Sequence, residues 1–207
     1  MHAHRLHSIY AGFTANPSFS GIPIGPASSD RIVYVARYEN QSGISAANIC
    51  GVAGTPAPNN LTSPSNAGGW YANVPTGSTC TVTFTDANAA NVGIAVWSIS
   101  GQIGGGSATP SNSLSVLWTT ADPITETETI NSGGQGLSSV FCFTAAGGNT
   151  TVWTGATPVG TDVQSTGGLL AVIGAAQASA SGTVSADDSS GSRNFGNGWF
   201  NYAAWGP

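Results

Sequence analysis

The sequence is poor in charge and contains no lysine. Only 6% of its 207 residues are charged, and its basic residues are four arginines, whereas charged residues make up about 25% of ordinary globular proteins. The formal net charge is −5. A chain of this kind lacks the basic patch that nucleic acids and anionic membrane surfaces recognise, so we expect neither as a partner. The absence of lysine also excludes a P-loop for nucleotide phosphates.

Histidine and cysteine are scarce as well. All three histidines lie within the first seven residues, so a Ser-His-Asp site has no histidine in the body of the chain. No segment joins a nucleophile, a base and an orienting group, and we expect no enzymatic activity and no cofactor. Cys50, Cys80 and Cys142 include no Cys-x-x-Cys pair, which argues against a zinc cluster. We interpret them as buried small side chains, with one disulfide and one free thiol as the alternative.

Long apolar runs are also missing. The N-terminus lacks the apolar segment that a secretory signal needs, and the run at residues 169–176 is too short to cross a bilayer. We therefore expect neither general export nor membrane insertion. A disordered chain is excluded, because the sequence is 40% hydrophobic and has six tryptophans, which is enough apolar surface to form a core.

Alternation of polar and apolar residues is the dominant pattern. In residues 79–85 the threonines share one parity while Cys80, Val82 and Phe84 share the other, which predicts a strand with one wet and one buried face. Residues 92–99 follow after a short connection, which favours antiparallel pairing of the two strands. Residues 31–38 carry apolar side chains on both faces, so we expect this strand to lie centrally in a sheet.

The alternating pattern continues to the C-terminus, and no segment shows an amphipathic helix of three turns. We predict an all-β fold, an antiparallel β-sandwich of the jelly-roll type with about ten strands and no substantial helix.

The chain divides into an N-terminal arm and a body. Residues 1–18 show no sustained period, and we predict a flexible or docking arm whose Ile9, Tyr10 and Phe13 contact a neighbouring subunit. We expect residues 19–207 to form one two-sheet sandwich domain. Residues 19–101 and 114–207 form a candidate repeat within it. The strands 31–38, 69–74, 79–85 and 92–99 are echoed in order by 137–144, 168–174, 182–186 and 199–205.

Aromatic and acidic residues provide two candidate ligand sites. Most aromatic side chains are expected in the core or in interfaces, but Trp70, Tyr71 and Trp153 are candidates for an exposed ligand face, since rings beside Asn and Asp bind saccharides. Asp187 and Asp188 offer the clustered oxygens that calcium uses. The alternating Asp-x-Asp loop with its closing glutamate is missing, so we interpret this segment as a plain turn and predict no metal site.

A pair of glutamates is a third candidate. Glu126 and Glu128 are two residues apart, which places both carboxylates on one strand face about 7 Å apart. Such a pair can serve in glycoside hydrolysis. An exposed strand face of Glu and Thr at a charged sheet edge is the more common arrangement, and we predict that arrangement here.

The motifs of the first half carry a resemblance. They are FSGIPIG at 19–25, ASSDRIVYV at 27–35, ICGVA at 49–53, WYANVPTGSTCTVTFT at 70–85 and GIAVWSISG at 93–101. In this order they resemble a group of proteins encoded in tailed bacteriophages and prophages of alphaproteobacteria. The resemblance covers most of residues 19–205 in texture. Cys50 stands where that group tends to have glycine, and the N-terminal arm has no counterpart in it.

The resemblance implies a virion component. The expected protein is a non-enzymatic structural protein on the phage particle surface, made in the bacterial cytoplasm, either a capsid decoration or cement protein or a head spike. Its partners would be its own copies in a homo-oligomer, such as a trimer, and the major capsid protein or other virion proteins. The group offers no catalytic residues. The aromatic residues supply the alternative, a carbohydrate-binding or receptor-recognition module for a host-surface glycan.

Overall fold

The protein is described from a computed structural model, which covers residues 2–39, 43–58, 66–88, 90–101, 109–118, 123–144, 151–159, 163–164, 170–188 and 198–206. For residues 2–14 only the backbone is described. In these ranges every regular element is a strand, and no helix is long and apolar enough to cross a membrane. The prediction of an all-β, antiparallel, sandwich-like fold is confirmed.

The strands fall into a first and a second half of the chain. The first half contains β1 (His2–Thr14), β2 (Ser18–Pro23), β3 (Ile32–Glu39), β4 (Ile44–Ile49), β5 (Val52–Ala53), β6 (Thr55–Pro56), β7 (Asn66–Asn73), β8 (Thr79–Asp86) and β9 (Ala90–Ser100). The second half contains β10 (Asn112–Trp118), β11 (Ile124–Glu128), β12 (Gln135–Thr144), β13 (Thr151–Thr154), β14 (Thr157–Pro158), β15 (Val163–Gln164), β16 (Leu170–Ala178), β17 (Gly182–Asp188) and β18 (Gly198–Trp205).

The two halves have the same sheet topology. In the first half, sheet A has the order β1-β9-β3-β7-β6 and sheet B the order β2-β8-β4-β5. In the second half, sheet C has the order β10-β18-β12-β16-β14, with β15 beside β16, and sheet D the order β11-β17-β13. The strands matched by the sequence echo, such as β3 with β12 and β9 with β18, occupy equivalent places. There are thus four sheets where two were expected, and the expectation that residues 19–207 form a single domain stays a prediction.

Three apolar cores show that the sheets stack in the order B, A, C, D. The first core lies between sheets B and A, the second between sheets A and C, and the third between sheets C and D. Examples of their members are Val35 and Val82 in the first, Tyr38 and Phe141 in the second, and Val140 and Val184 in the third. Sheets A and C therefore pack back to back, and each also closes a sandwich with its own outer sheet.

This stacking explains two kinds of strand sequence. In the outer strand β8 exposed threonines alternate with buried Cys80, Val82 and Phe84, as predicted. Every residue of the inner strands β3 and β18 is buried, because each has a core on both sides. Strand β3 lies between β9 and β7, which confirms the central position predicted for residues 31–38.

The predicted antiparallel pairing of β8 with β9 is wrong. Strand β8 pairs with β2 and β4 in sheet B, whereas β9 pairs with β1 and β3 in sheet A. The connection after β8 crosses from one sheet to the other, so that Val82 and Phe84 face Ile94 across the first core. A short connection fixes only that two strands are near each other, and here they are neighbours through a core.

Aromatic rings fill the core between sheets A and C. The ring centroids of Tyr34 and Trp205 are 5.1 Å apart, and those of Tyr38 and Trp199 are 4.2 Å apart. Tyr38 also lies 5.8 Å from Phe141. Such pairs contribute about 0.5–1.5 kcal/mol each beyond the burial of their area, so this layer is the main attachment between the two halves.

We expect Trp205→Ala to reduce the free energy of unfolding by about 3–5 kcal/mol, because the substitution removes a fully buried ring and leaves a cavity between the halves. Urea unfolding followed by circular dichroism would measure this loss. Val152→Ala is the control, since Val152 is 48% exposed and its truncation should change stability by less than about 0.5 kcal/mol. Equal effects of the two substitutions would contradict the assigned core.

Candidate functional site

The aromatic residues expected on a ligand face lie in the cores instead. Trp70 and Tyr71 are only 8% and 6% exposed, and they pack in the first and second cores. The Tyr71 hydroxyl donates to Thr109 Oγ1 at 3.0 Å. Trp153 is half-buried, with its ring centroid 6.3 Å from that of Phe200. Trp70 and Tyr71 are therefore not exposed as a ligand face would require, whereas a ligand role for the half-buried Trp153 stays a prediction.

The segment predicted as an arm forms strand β1 at the edge of sheet A. Its backbone pairs antiparallel with β9, with Ile9 opposite Ile94 and Tyr10 opposite Gly93. The side chains of Ile9, Tyr10 and Phe13 lie outside the described part of the chain. A docking role for this segment therefore stays a prediction, and such a role would have to be exercised from a sheet edge.

The acidic candidates for calcium lie at the end of β17. Asp187 and Asp188 pair with Val152 and Thr151 of β13. Asp187 is half-exposed, and the Asp188 side chain lies outside the described residues. Within the described ranges, no three His, Cys, Asp or Glu side chains are placed so that they could hold a metal ion.

The prediction that Glu126 and Glu128 share an exposed face is wrong. Both have the parity of Ile124, which points into the third core, and on this face Glu126 is half-buried while Ile124 and Glu128 are fully buried. The alternation of Thr125 and Thr127 with Ile124 in the sequence already contained this signal. The position of a strand at the edge of a sheet does not by itself decide which of its side chains face water.

Glu128 is held by hydrogen bonds inside the second sandwich. Ser138 Oγ donates to its Oε1. Nearby, the Tyr202 hydroxyl donates to the Thr129 carbonyl and accepts from the Thr129 amide at 2.9 Å. Burial raises the pKa of Glu128 to about 7, although the bond from Ser138 favours its charged form. No described cationic group forms an ion pair with this carboxyl. Protonation is therefore the main way in which it loses the charge that burial disfavours.

A second buried polar cluster lies in the first sandwich, where Arg37 Nη1 is 3.1 Å from Glu39 Oε1. The Ile44 amide donates to the same carboxylate oxygen. Asp86, also buried, accepts from the Asn88 amide at 3.0 Å. Burial raises the pKa of Glu39 to about 7 even though Arg37 and the Ile44 amide favour its charged form. The cluster is enclosed by protein, so its role is to hold β3, β4 and β8 together.

Arg31 is buried, and no carboxylate among the described side chains pairs with it. Its guanidinium group donates to six backbone carbonyl groups of two turns, which belong to Ile24, Gly25, Pro26, Val74, Thr76 and Gly77. The aligned carbonyl dipoles replace the water that the cation has lost. The turn before β3 and the turn after β7 are fixed to each other in this way, a role that the sequence pattern did not indicate.

A disulfide joins Cys50 to Cys80, so the interpretation of these two residues as buried thiols is wrong and the alternative of one bridge is correct. Cys50 and Gly51 form the two-residue loop between β4 and β5, and both have positive φ, 55° and 85°. That combination is typical of a type I′ hairpin turn. Glycine adopts positive φ without strain, which accounts for a preference for glycine at position 50. The Cys142 side chain lies outside the described residues.

The outer faces of the molecule carry hydroxyl groups. On sheets B and D, none of the described side chains that are fully exposed is charged. The exposed residues include Ser18, Ser20, Thr79, Thr81 and Thr85 on sheet B, and Thr125, Thr127, Thr154 and Thr183 on sheet D. The outer face of sheet B can therefore approach another surface without dehydrating an ion, whereas the outer face of sheet D carries the half-exposed Asp187.

An open cleft of about 520 Å³ lies in the second half. One wall is formed by residues 155–157, which lead into β14, and the other by Gln177 and the turn that follows β16. Gln135 lies at its base and donates through Nε2 to the Ala178 carbonyl at 3.2 Å. The described part of the lining contains amides, hydroxyls and backbone, but no charged residue. Neither glutamine was singled out by the sequence pattern.

We expect the protein to be more stable at about pH 5 than at about pH 8. The folded state raises the pKa of Glu128 from 4.5 to about 7, so its contribution is fully present below the unfolded value and is lost as the pH rises through the folded value. Thermal unfolding at both pH values would show this difference. Glu128→Gln should reduce it, and Glu126→Gln, at a half-exposed position, should reduce it less. An unchanged pH dependence in Glu128→Gln would contradict the assignment.

We expect Cys80→Ala to reduce the free energy of unfolding by about 2–4 kcal/mol, since the bridge closes a loop over a sequence separation of 30. A reducing agent should lower the melting temperature of the unaltered protein but not that of the variant. In the Cys80→Ala background, Cys50→Gly should be more stable than Cys50→Ala by about 1 kcal/mol, because glycine adopts positive φ without strain. The reverse order would contradict the turn geometry.

The comparisons with known proteins return no relative. No family model matches the chain, and neither a curated protein nor a solved structure matches it. What the protein does has to be inferred from its own residues and their arrangement.

Proposed function

We propose that this protein is a non-enzymatic structural component of a bacteriophage particle, a capsid decoration or cement protein or a head spike. It is made in the bacterial cytoplasm and acts on the particle surface, through contacts among its own copies and with the major capsid protein or another virion protein.

The winding of the first half is the observation that carries this proposal. With the two-residue strand β6 left out, the eight remaining strands lie in the orders first-eighth-third-sixth and second-seventh-fourth-fifth. We infer that this is a jelly-roll winding, which viral capsid domains use and which lectins and cupins share. The second half follows the same order in β10, β18, β12 and β16. The inference from a jelly-roll winding to a virion protein is an analogy of fold. Among the classes of protein that have this winding, the resemblance of residues 19–101 to phage-encoded proteins favours the viral class.

Surface chemistry supports a role in assembly. The outer sheets present threonine and serine, and hydroxyl groups cost far less to bury than charged groups. A protein packed against a shell and against its own copies benefits from such faces, whereas a free protein at high concentration depends on surface charge for solubility.

The disulfide supports a location outside the reducing cytoplasm. Disulfides persist in oxidising surroundings, which include virion surfaces. A particle released by lysis enters such surroundings, and Cys50 at the hairpin tip is half-exposed and accessible to oxidants.

Mass spectrometry of particles purified on a density gradient from a lysate of the source host tests the proposal. We expect the chain to sediment with the major capsid protein at a fixed ratio. A ratio near that of capsomers would identify a decoration or cement protein, and a few copies per particle would identify a spike. Recovery of the chain only in the soluble fraction, from a lysate that contains particles, would overturn the proposal.

A further inference from the structure

We propose that the cleft in the second half is a binding site for a short, uncharged saccharide. Such a site would serve a free protein as well as one attached to a particle, so it does not depend on the virion function.

The registers of the two halves identify equivalent positions around the cleft. In the first half Tyr71 pairs with Tyr34 on one side and with Thr55 on the other. In the second half Gln177 pairs in the same way with Leu137 and Thr157. Gln177 is therefore the counterpart of Tyr71. By the same registers Gln135 corresponds to Ile32, Ser179 to Asn73 and Ala180 to Val74.

The positions that are buried in the first half are more open in the second half. Ile32 and Tyr71 are buried in the second core and Val74 in the first core, with exposures of 2%, 6% and 4%. Their counterparts Gln135 and Gln177 are half-buried, and Ala180 is exposed. At these three positions the second half thus has two glutamines and an alanine where the first half has isoleucine, tyrosine and valine.

The turn beside the cleft also lacks a counterpart of the Arg31 side chain. In the first half Arg31 occupies the space beside the 74–78 connection and donates to three of its carbonyls. The corresponding residue in the second half is Gly134, where a Cβ would lie 2.3 Å from the Trp205 carbonyl oxygen. The connection between β16 and β17 is shorter, spanning residues 179–181. No side chain enters the cleft from this position.

The residues that line the cleft indicate which class of ligand it binds. Gln135, Gln177, Thr157 and Ser179 offer both donors and acceptors, and the backbone of residues 155–157 adds more polar groups. Because none of the described residues that line the cleft is charged, a charged ligand would lose hydration without gaining an ion pair from them. The wall residues are small, so no apolar pocket is present for a peptide side chain. A polyhydroxylated neutral molecule matches this surface, and the volume of about 520 Å³ lies within the range of about 300–1,000 Å³ of small-molecule sites.

The test is a titration of the full chain, labelled with ¹⁵N, with glucose, galactose, mannose, N-acetylglucosamine, maltose and lactose, and with N-acetylneuraminic acid as the anionic probe. We expect at least one neutral sugar to shift the amide resonances of residues 155–157 and 177–180 in a saturable manner. Gln177→Tyr, which installs the residue of the first half, should weaken that binding about tenfold or more by filling the cleft and removing an amide.

Ser179→Trp blocks the cleft from an exposed position and decides the matter if Gln177→Tyr does not fold. Thr127→Tyr, on the exposed face of β11 in the same half, is the matched control and should bind like the unaltered protein. The following results would overturn the proposal. They are no shift with any neutral sugar at millimolar concentration, shifts that map elsewhere, and binding of N-acetylneuraminic acid alone. Full affinity in a folded, blocked variant would do the same.

Discussion

The burial of sheets A and C on both faces is the constraint on which the rest of the structure depends. A sheet that is wet on one side needs apolar residues at alternate positions only, whereas a sheet between two cores needs them at nearly all positions. Strands β3 and β18 are buried along their whole length, and their residues are apolar except for Arg37 and Glu39 in β3 and Asn201 in β18. Tyr34, Tyr38 and Trp205 then join the halves by ring contacts rather than by ion pairs, which agrees with a chain that has few charges to spare.

This constraint also decides how much of the fold the sequence could reveal. The alternation in β8 and the two-faced apolar pattern of β3 are local properties, and both were predicted. The number of sheets is not local: β8 and β9 are joined by a short connection, and only the facing of Val82 and Ile94 across a core shows that they lie in different sheets. Glu128 was misplaced because a glutamate at an edge usually faces water, although its parity with Ile124 pointed inward.

The site was harder to predict than the fold, because its residues become informative only when they are compared with the residues at equivalent positions of the first half. A glutamine in a strand carries no signal by itself, and Gln177 becomes informative only beside Tyr71 in the equivalent register. The same holds for glycine. Gly136, the counterpart of Val33 in this register, leaves room for Glu128, whose Oε2 would lie 2.9 Å from a Cβ at that position. The buried carboxyl and the cleft thus lie at positions where the two halves differ in equivalent registers.

The aromatic face that joins the halves has a consequence for what either half could do alone. A single nine-strand unit of this kind would present Tyr34, Tyr38 and their neighbours to water, and an apolar sheet face of that size is covered by a partner in stable proteins. Two identical units would have to pair through this face, and in such a symmetric pair any substitution appears in both subunits at once. A single chain that contains both halves is free of that symmetry, so that one half can carry Tyr71 and Arg31 where the other carries Gln177 and Gly134.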